Sequence, residues 1–164
     1  MVLSFLESSL CFQLECRLDR KPLPIYHLKV MAKRLYGIRG AVCCGNTAQE
    51  IQDAVYDMCS RLFAENGLQG DDFVSLHFTM TGDLDALNPA AALRRSACGE
   101  LVGTAALFCS AEAPVQGGLP RTIRLLVTAY MEEGRKPVHI YTGGAEVLRP
   151  DFVQAQKSSH QVSP

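Results

Sequence analysis

Between residues 37 and 152 the chain carries eight arginines, at 39, 61, 94, 95, 121, 124, 135 and 149, and a single lysine, Lys136. Arginine presents a rigid fork of donors that meets a carboxylate or phosphate with two parallel hydrogen bonds, whereas lysine is a point charge. Arg39 and Arg124 fall inside segments that read as strands, where a charge needs a partner or a wet cleft. Two explanations fit this pattern: arginine-rich composition on exposed strand faces, and a cleft that holds an anion. Nothing else in the sequence names a reaction. There is no G-x-S-x-G, P-loop, G-x-G-x-x-G or HExxH. Cys109 lies three residues before Glu112, but no histidine is near either in sequence to act as a base, which disfavours acyl transfer.

Metal and cofactor chemistry are not expected. The seven cysteines sit at 11, 16, 43, 44, 59, 98 and 109 without a CxxC, and His27, His77, His139 and His160 are scattered singly. A structural zinc site needs paired ligands at short spacing. An odd number of cysteines with no secretory signal reads as reduced thiols in a cytoplasmic protein.

The elements that must position these side chains follow from periodicity. LYGIRGAVC (35–43) reads as a strand, with Gly37 and Gly40 flanking Arg39 and leaving room there for a ligand. Thr47 to Glu50 has the form of a capping box, opening a helix to about Glu65 whose apolar stripe is Ile51, Val55, Met58, Leu62 and Phe63. Asn66-Gly67 ends it. FVSLHFTM (73–80) alternates, placing Val74, Leu76, Phe78 and Met80 on one face. Asn88-Pro89 starts a short helix. Strands are expected over 104–109, 121–131 and 138–142, with a last short one at 145–148. On the strongest, 121–131, the residues Thr122, Arg124, Leu126 and Thr128 share a face. This is a mixed α/β (α+β) domain in which one long helix covers a sheet.

Composition excludes several classes. The 164 residues are 48% hydrophobic and 20% charged with a net charge of −1, ordinary globular values for one domain. The charge balance argues against a nucleic-acid or polybasic membrane binder. No apolar stretch reaches the ~18–20 residues of a membrane-spanning helix. Residues 1–30 read differently from the rest: Glu7 and Glu15 interrupt an apolar start, and two prolines flank Leu23. They are expected to be a poorly ordered arm or an extension upstream of a true start at Met31. A domain over 31–152 and a flexible tail over 153–164 complete the chain.

The residues also carry a resemblance. YGIRGA (36–41), the capped helix from Thr47, and TGDLDALNPAAALR (81–94) occur in that order. CSAE (109–112), GGLPRTIR (117–124), HIY (139–141) and VLRPD (147–151) follow. Together, over roughly residues 34–152, they resemble the monofunctional chorismate mutases of the trimeric pseudo-α/β-barrel class, not the all-helical class. The resemblance implies a mixed five-stranded sheet with one long and one short helix, a homotrimer, and sites between subunits. It implies that Arg39 binds a substrate carboxylate with Tyr141 beside it, and that Arg124 reaches the ether oxygen and a carboxylate. Glu112 then accepts a hydrogen bond from the ring hydroxyl, with Cys109 next to that group. Arg94 is matched to a rim position on the short helix, and Leu148-Arg149 to a C-terminal segment over the site. Phe108 stands where a small polar residue is common, and Asn88 and Ala91 where an aromatic residue and a lysine are common. The segment between Arg94 and Cys109 is a few residues longer than usual. These departures touch the site entrance.

The reaction so implied is the Claisen rearrangement of chorismate to prephenate in phenylalanine and tyrosine biosynthesis. It is unimolecular and needs no nucleophile, metal or proton transfer. Arginines that clamp two carboxylates select the reactive conformer, and a fixed donor at the ether oxygen meets charge that grows in the transition state. The alternative is a trimeric binder of the same fold that holds an anionic metabolite without turning it over. An imine-hydrolysing enzyme of similar shape would require a different arginine and glutamate context.

Overall fold

The computed structural model describes residues 32–152, so the expectations for residues 1–30 and 153–164 lie outside the described residues. Five strands and two helices follow one another in the chain: β1 (Lys33–Cys43), α1 (Ala48–Asn66), β2 (Phe73–Met80), α2 (Pro89–Arg95), β3 (Ala106–Ala111), β4 (Thr122–Glu132) and β5 (Ile140–Thr142). Single 3₁₀ turns lie at Gly70–Asp72, Glu100–Val102 and Ala145–Leu148. The strands form one mixed five-stranded sheet, as the resemblance implies, and their order is β3-β2-β4-β1-β5. β4 runs antiparallel to both β1 and β2, while β5 joins β1 and β3 joins β2 in parallel.

α1 forms where its caps and stripe place it. The Thr47 hydroxyl accepts from the Glu50 N–H at 3.2 Å and donates to the Glu50 carboxylate at 2.6 Å, so that carboxylate takes the hydroxyl and not the Thr47 backbone. Gly67 ends the helix at φ 62, a left-handed conformation that costs a residue with a Cβ. Ile51, Val55, Met58, Leu62 and Phe63 are all buried against the sheet, each stabilising the fold by roughly 1.5–3 kcal/mol. They share one core with Ile123, Leu125, Val127, Ala129 and Met131, the buried face of β4. A Cβ on Gly40 would stand 3.0 Å from the Met58 Sδ. Gly40 therefore serves the close approach of α1 to β1, and the room expected beside Arg39 has another origin.

Two expected elements differ. Ala145–Leu148 is a 3₁₀ turn, not a strand, because Gly143 and Gly144 at φ 64 and 100 turn the chain away from the sheet. The third strand is Ala106–Ala111 where 104–109 was expected, which brings Ser110 and Ala111 into the ladder. One face assignment changes as well. Leu76 and Phe78 are buried as the alternation predicts, yet Val74 is exposed. A bulge between Phe73 and Ser75 makes Val74 the extra residue and turns Phe73 into the core instead.

β5 is short, and a buried side chain on α1 holds the segment that enters it. Asn66 donates to the carbonyls of Leu62 and Val138, each at 2.8 Å, and accepts from the Val138 N–H at 2.8 Å. Asn66→Ala strips the two Val138 groups of these partners, and urea unfolding is expected to show a loss of about 1–3 kcal/mol. Gln49→Ala, on the exposed face of α1, is expected to change stability by less than about 0.5 kcal/mol.

Candidate active site

Helices cover one face of the sheet, and the charged strand residues lie on the other. Because opposed residues in a ladder point to the same side, the pairings Ser110–Thr79, Thr79–Arg124, Arg124–Ala41 and Ala41–Tyr141 draw one line across all five strands. Arg39 lies one step along on the same face, opposite Leu126, which in turn pairs with His77. A cavity of about 500 Å³ opens here, with Arg39, Arg124, Tyr141 and Arg149 among its walls. Leu148, His77, Thr79 and Leu126 also line it. Alternation in the strands brings the two arginines together although 85 residues separate them in sequence.

Each charge in this cavity is handled differently. Arg124 pairs through Nη1 with Oε2 of Glu112, the residue that directly follows β3. The other carboxylate oxygen, Oε1, accepts from the Thr79 hydroxyl at 2.5 Å. The Arg124 and Glu112 side chains keep 35% and 19% of their exposure, so the pair is screened less than one on the open surface. Arg39 is exposed to the cavity. Its backbone N–H donates to His139 Nδ1 at 3.1 Å. Arg149 lies in a clamp: Asp151 accepts from its Nε at 3.0 Å and its Nη2 at 2.7 Å, and the Phe152 ring stands 3.7 Å from the guanidinium carbon. Phe152 also packs on His139 and stacks with Tyr141, at centroid distances of 4.6 and 6.2 Å. The aromatic end of the described chain thus ties Arg149 to the wall that holds Arg39 and Tyr141.

Four residues named from the resemblance do not line this cavity within one chain: Glu112, which reaches it only through its pair with Arg124, and Cys109, Arg94 and Phe108. Cys109 pairs with Phe78, so it points to the helix face and packs against the core, where burial pushes its thiol up and a bond with Asn88 opposes that shift. Asn88 itself caps α2, accepting from the Ala90 and Ala91 N–H groups at 2.9 and 3.2 Å. Arg94 is exposed on α2. Phe108 is 67% exposed on the same face as the cavity, edge-on to His77 at 5.7 Å. Conversely, the sequence did not single out Thr79, His77, His139, Asp151 or Phe152. Alternation places Thr79 and His77 opposite Leu76 and Phe78, but it does not say which strand they will face. Gly37 is on the cavity face, where an added Cβ would make only an ordinary 3.6 Å contact with Leu126. Among the described residues no group of three or more His, Cys, Asp or Glu side chains could hold a metal ion.

The arrangement can hold an anion on fixed donors while offering one oriented carboxylate and one phenol. Burial lowers the pKa of His139 below its ordinary 6.5, and the Arg39 and Arg149 charges lower it further. The neutral ring is also the form that accepts the Arg39 N–H. The folded state therefore binds this proton less readily than the unfolded chain, so the stabilisation is complete above pH 6.5 and falls away as pH drops below it. Urea midpoints measured from pH 7.5 down to 5 are expected to fall, and His139→Gln, whose amide oxygen can still accept, is expected to flatten that fall.

This site and its scaffold have known relatives. The family model described as chorismate mutase type I matches residues 35–152. The chain is 33% identical over 123 residues to chorismate mutase AroH of Thermus thermophilus, a match covering 73% of this chain and 98% of that protein. It is 32% identical over 118 residues to chorismate mutase AroH of Bacillus subtilis (strain 168), covering 71% and 91% respectively. A solved structure described as chorismate mutase from Clostridium thermocellum Cth-682 superposes with a TM-score of 0.61 at 36% identity, covering 68% of this chain and 98% of that one. The matched segment contains β1 to β5 almost entire, and with them every arginine of the cavity. The chain belongs to the chorismate mutase type I family, whose activity is that of an isomerase.

Proposed function

We propose that the chain converts chorismate to prephenate at the cavity between β1, β4 and the Leu148-Arg149 turn, as a step of aromatic amino acid biosynthesis in the cytoplasm. The observation that carries this reading is the convergence of Arg39, Arg124, Tyr141 and Arg149 on one cavity, with Glu112 held at Arg124. The roles follow from the reaction. Arg39 and Tyr141 take one carboxylate, while Arg124 reaches the ether oxygen and the second carboxylate. Glu112 accepts from the ring hydroxyl. Negative charge grows on the ether oxygen as its C–O bond breaks, so the Arg124 guanidinium stabilises the transition state more than the bound substrate. The fork must already be aimed, since reorienting it during the reaction would forfeit that gain. Arg149 and Leu148 close the cavity mouth through the Phe152 clamp. No step asks for a nucleophile or a proton carrier. Cytoplasmic placement is supported by the unpaired state of Cys43, Cys44, Cys59, Cys98 and Cys109 and by the biosynthetic family. Among the described residues no helix is long and apolar enough to cross a membrane.

The same reading includes a homotrimer. Leu35, Leu126, Tyr130 and Phe108 are 43–67% exposed on the cavity face of the sheet, an apolar surface that calls for cover. Cys109 and Arg94 lie away from the Arg39 cavity within one chain, which suits a site completed by a neighbouring copy. Sedimentation is expected to give three chains per particle at concentrations where turnover is measured. A fully active monomer overturns this assembly.

Arg124 is the decisive test. Arg124→Ala is expected to lower kcat for chorismate loss by ~10²–10³, the effect of removing one preorganised donor, and to weaken binding as well. Arg124→Lys keeps the charge without the fork and is expected to recover only part of the rate. Arg61→Ala, on the outer face of α1 between Asp57 and Glu65, is expected to remain near wild type. If the wild-type chain binds chorismate without consuming it, the protein is a metabolite binder and the assignment fails.

A further inference from the structure

The Thr79–Glu112–Arg124 cluster contains a group to which the proposed mechanism gives no task. Glu112 sits beyond the end of β3, where its backbone N–H donates to the Met80 carbonyl at 2.9 Å. Its carboxylate reaches back over β2 and β4, and the two oxygens are taken by different partners: Oε2 by Arg124 Nη1, Oε1 by the Thr79 hydroxyl at 2.5 Å. Thr79 and Arg124 are directly opposed in the β2–β4 ladder, so the two donors approach from adjacent strands with fixed spacing. Thr79 also lines the cavity itself.

A guanidinium beside a carboxylate tends to close into a bidentate pair, in which two N–H groups engage both oxygens. Arg124 has five N–H donors in all, and closure of that kind would commit a second one to Glu112 and turn the fork toward it. The Thr79 hydroxyl competes for the oxygen that the second bond would use. Threonine suits this task because its branched Cβ restricts χ1, so the hydroxyl is held in place by its own strand. We propose that Thr79 is a positioning residue for the rearrangement: by holding Glu112 Oε1 it limits the Arg124–Glu112 contact to one oxygen and leaves the remaining guanidinium donors for the substrate. The inference rests on the function proposed above.

The effect falls on the transition state, because the donors set free are those that face the ether oxygen. Thr79→Val keeps the shape of the side chain and removes the hydroxyl. It is expected to lower kcat about 10- to 100-fold, the scale of a misaimed reacting group, with a change in KM of less than about threefold. Thr79→Ser restores the donor and is expected to return kcat to within about threefold of wild type. In a Glu112→Ala background there is no carboxylate to hold, and adding Thr79→Val is expected to cost less than about twofold, the non-additivity of residues acting through one group. A merely structural role for Thr79 would lower stability in both backgrounds alike and would give no such split between kcat and KM. Urea unfolding and sedimentation on each variant measure that directly.

The outcomes separate. Wild-type kcat in Thr79→Val alongside an impaired Glu112→Ala overturns the role of Thr79 and leaves the proposed function standing. Equal losses from Thr79→Val in the presence and absence of the Glu112 carboxylate overturn it too. No chorismate turnover by the wild-type chain, or a wild-type rate in Glu112→Ala, overturns the function assigned to the site and this inference with it.

Discussion

β4 lies between β1 and β2 and runs antiparallel to both, so its alternation is imposed on the whole sheet. Ile123, Leu125, Val127, Ala129 and Met131 face the helix side of the sheet, where one core takes their apolar surface out of water. Arg124, Leu126 and Thr128 are thereby committed to the opposite side. A slip of one residue would turn a guanidinium into the core and expose the apolar face, so the register is strongly specified. The site depends on this constraint: the line from Ser110 through Thr79, Arg124 and Ala41 to Tyr141 exists only while β4 holds its two neighbours in register.

A charged side chain within a sheet is tolerated on two conditions, and the site uses both. Arg124 has an acceptor in Glu112, whose own second oxygen is held by Thr79. Arg39 keeps its charge at the wet side of the cavity while its backbone N–H is satisfied by His139. The donors are placed by strands and not by loops, so their aim is as rigid as the ladder. For a rearrangement without covalent intermediates, that rigidity is the whole contribution a protein can make: shape for the substrate and charge where charge will appear. Arg149 is different. It follows a 3₁₀ turn and is held by Asp151 and Phe152, so its place depends on side-chain contacts and not on a ladder.

The departures noted at the site entrance have structural explanations of their own. Asn88 caps α2 with two backbone hydrogen bonds and lies close enough to Cys109 to bond its thiol. Gln52 on α1 ties to the Ala92 carbonyl at 2.7 Å, so α2 is anchored to the long helix and not to the cavity. Phe108 finds an aromatic partner in His77 on the neighbouring strand. These substitutions fit the scaffold of α2 and β3, and they leave the Arg39–Arg124 wall untouched.

What the sequence determined by itself was everything with a short-range cause. The period of Ile51, Val55, Met58, Leu62 and Phe63, the Thr47 start and the Gly67 stop define α1 without reference to the rest of the chain. Alternation put Arg124 on the polar face of its strand, while the scarcity of lysine beside eight arginines left an anion cleft and a plain compositional bias both open. Only the tertiary structure decided the remainder. The bulge that turns Val74 outward depends on pairing with β4, some fifty residues away, and the glycines at 143 and 144 bend a segment whose composition alone suits a strand. The side to which Cys109 points depends on the register of β3 against β2, and no local pattern carries that register. The same holds for the partners of Glu112: its neighbours in sequence are alanines, and Thr79 and Arg124 reach it only because two ladders bring three distant segments to one line. Local hydrogen bonding and periodicity are written in adjacent residues, whereas the distance between a carboxylate and its donors is set by how strands align, and alignment belongs to the whole sheet.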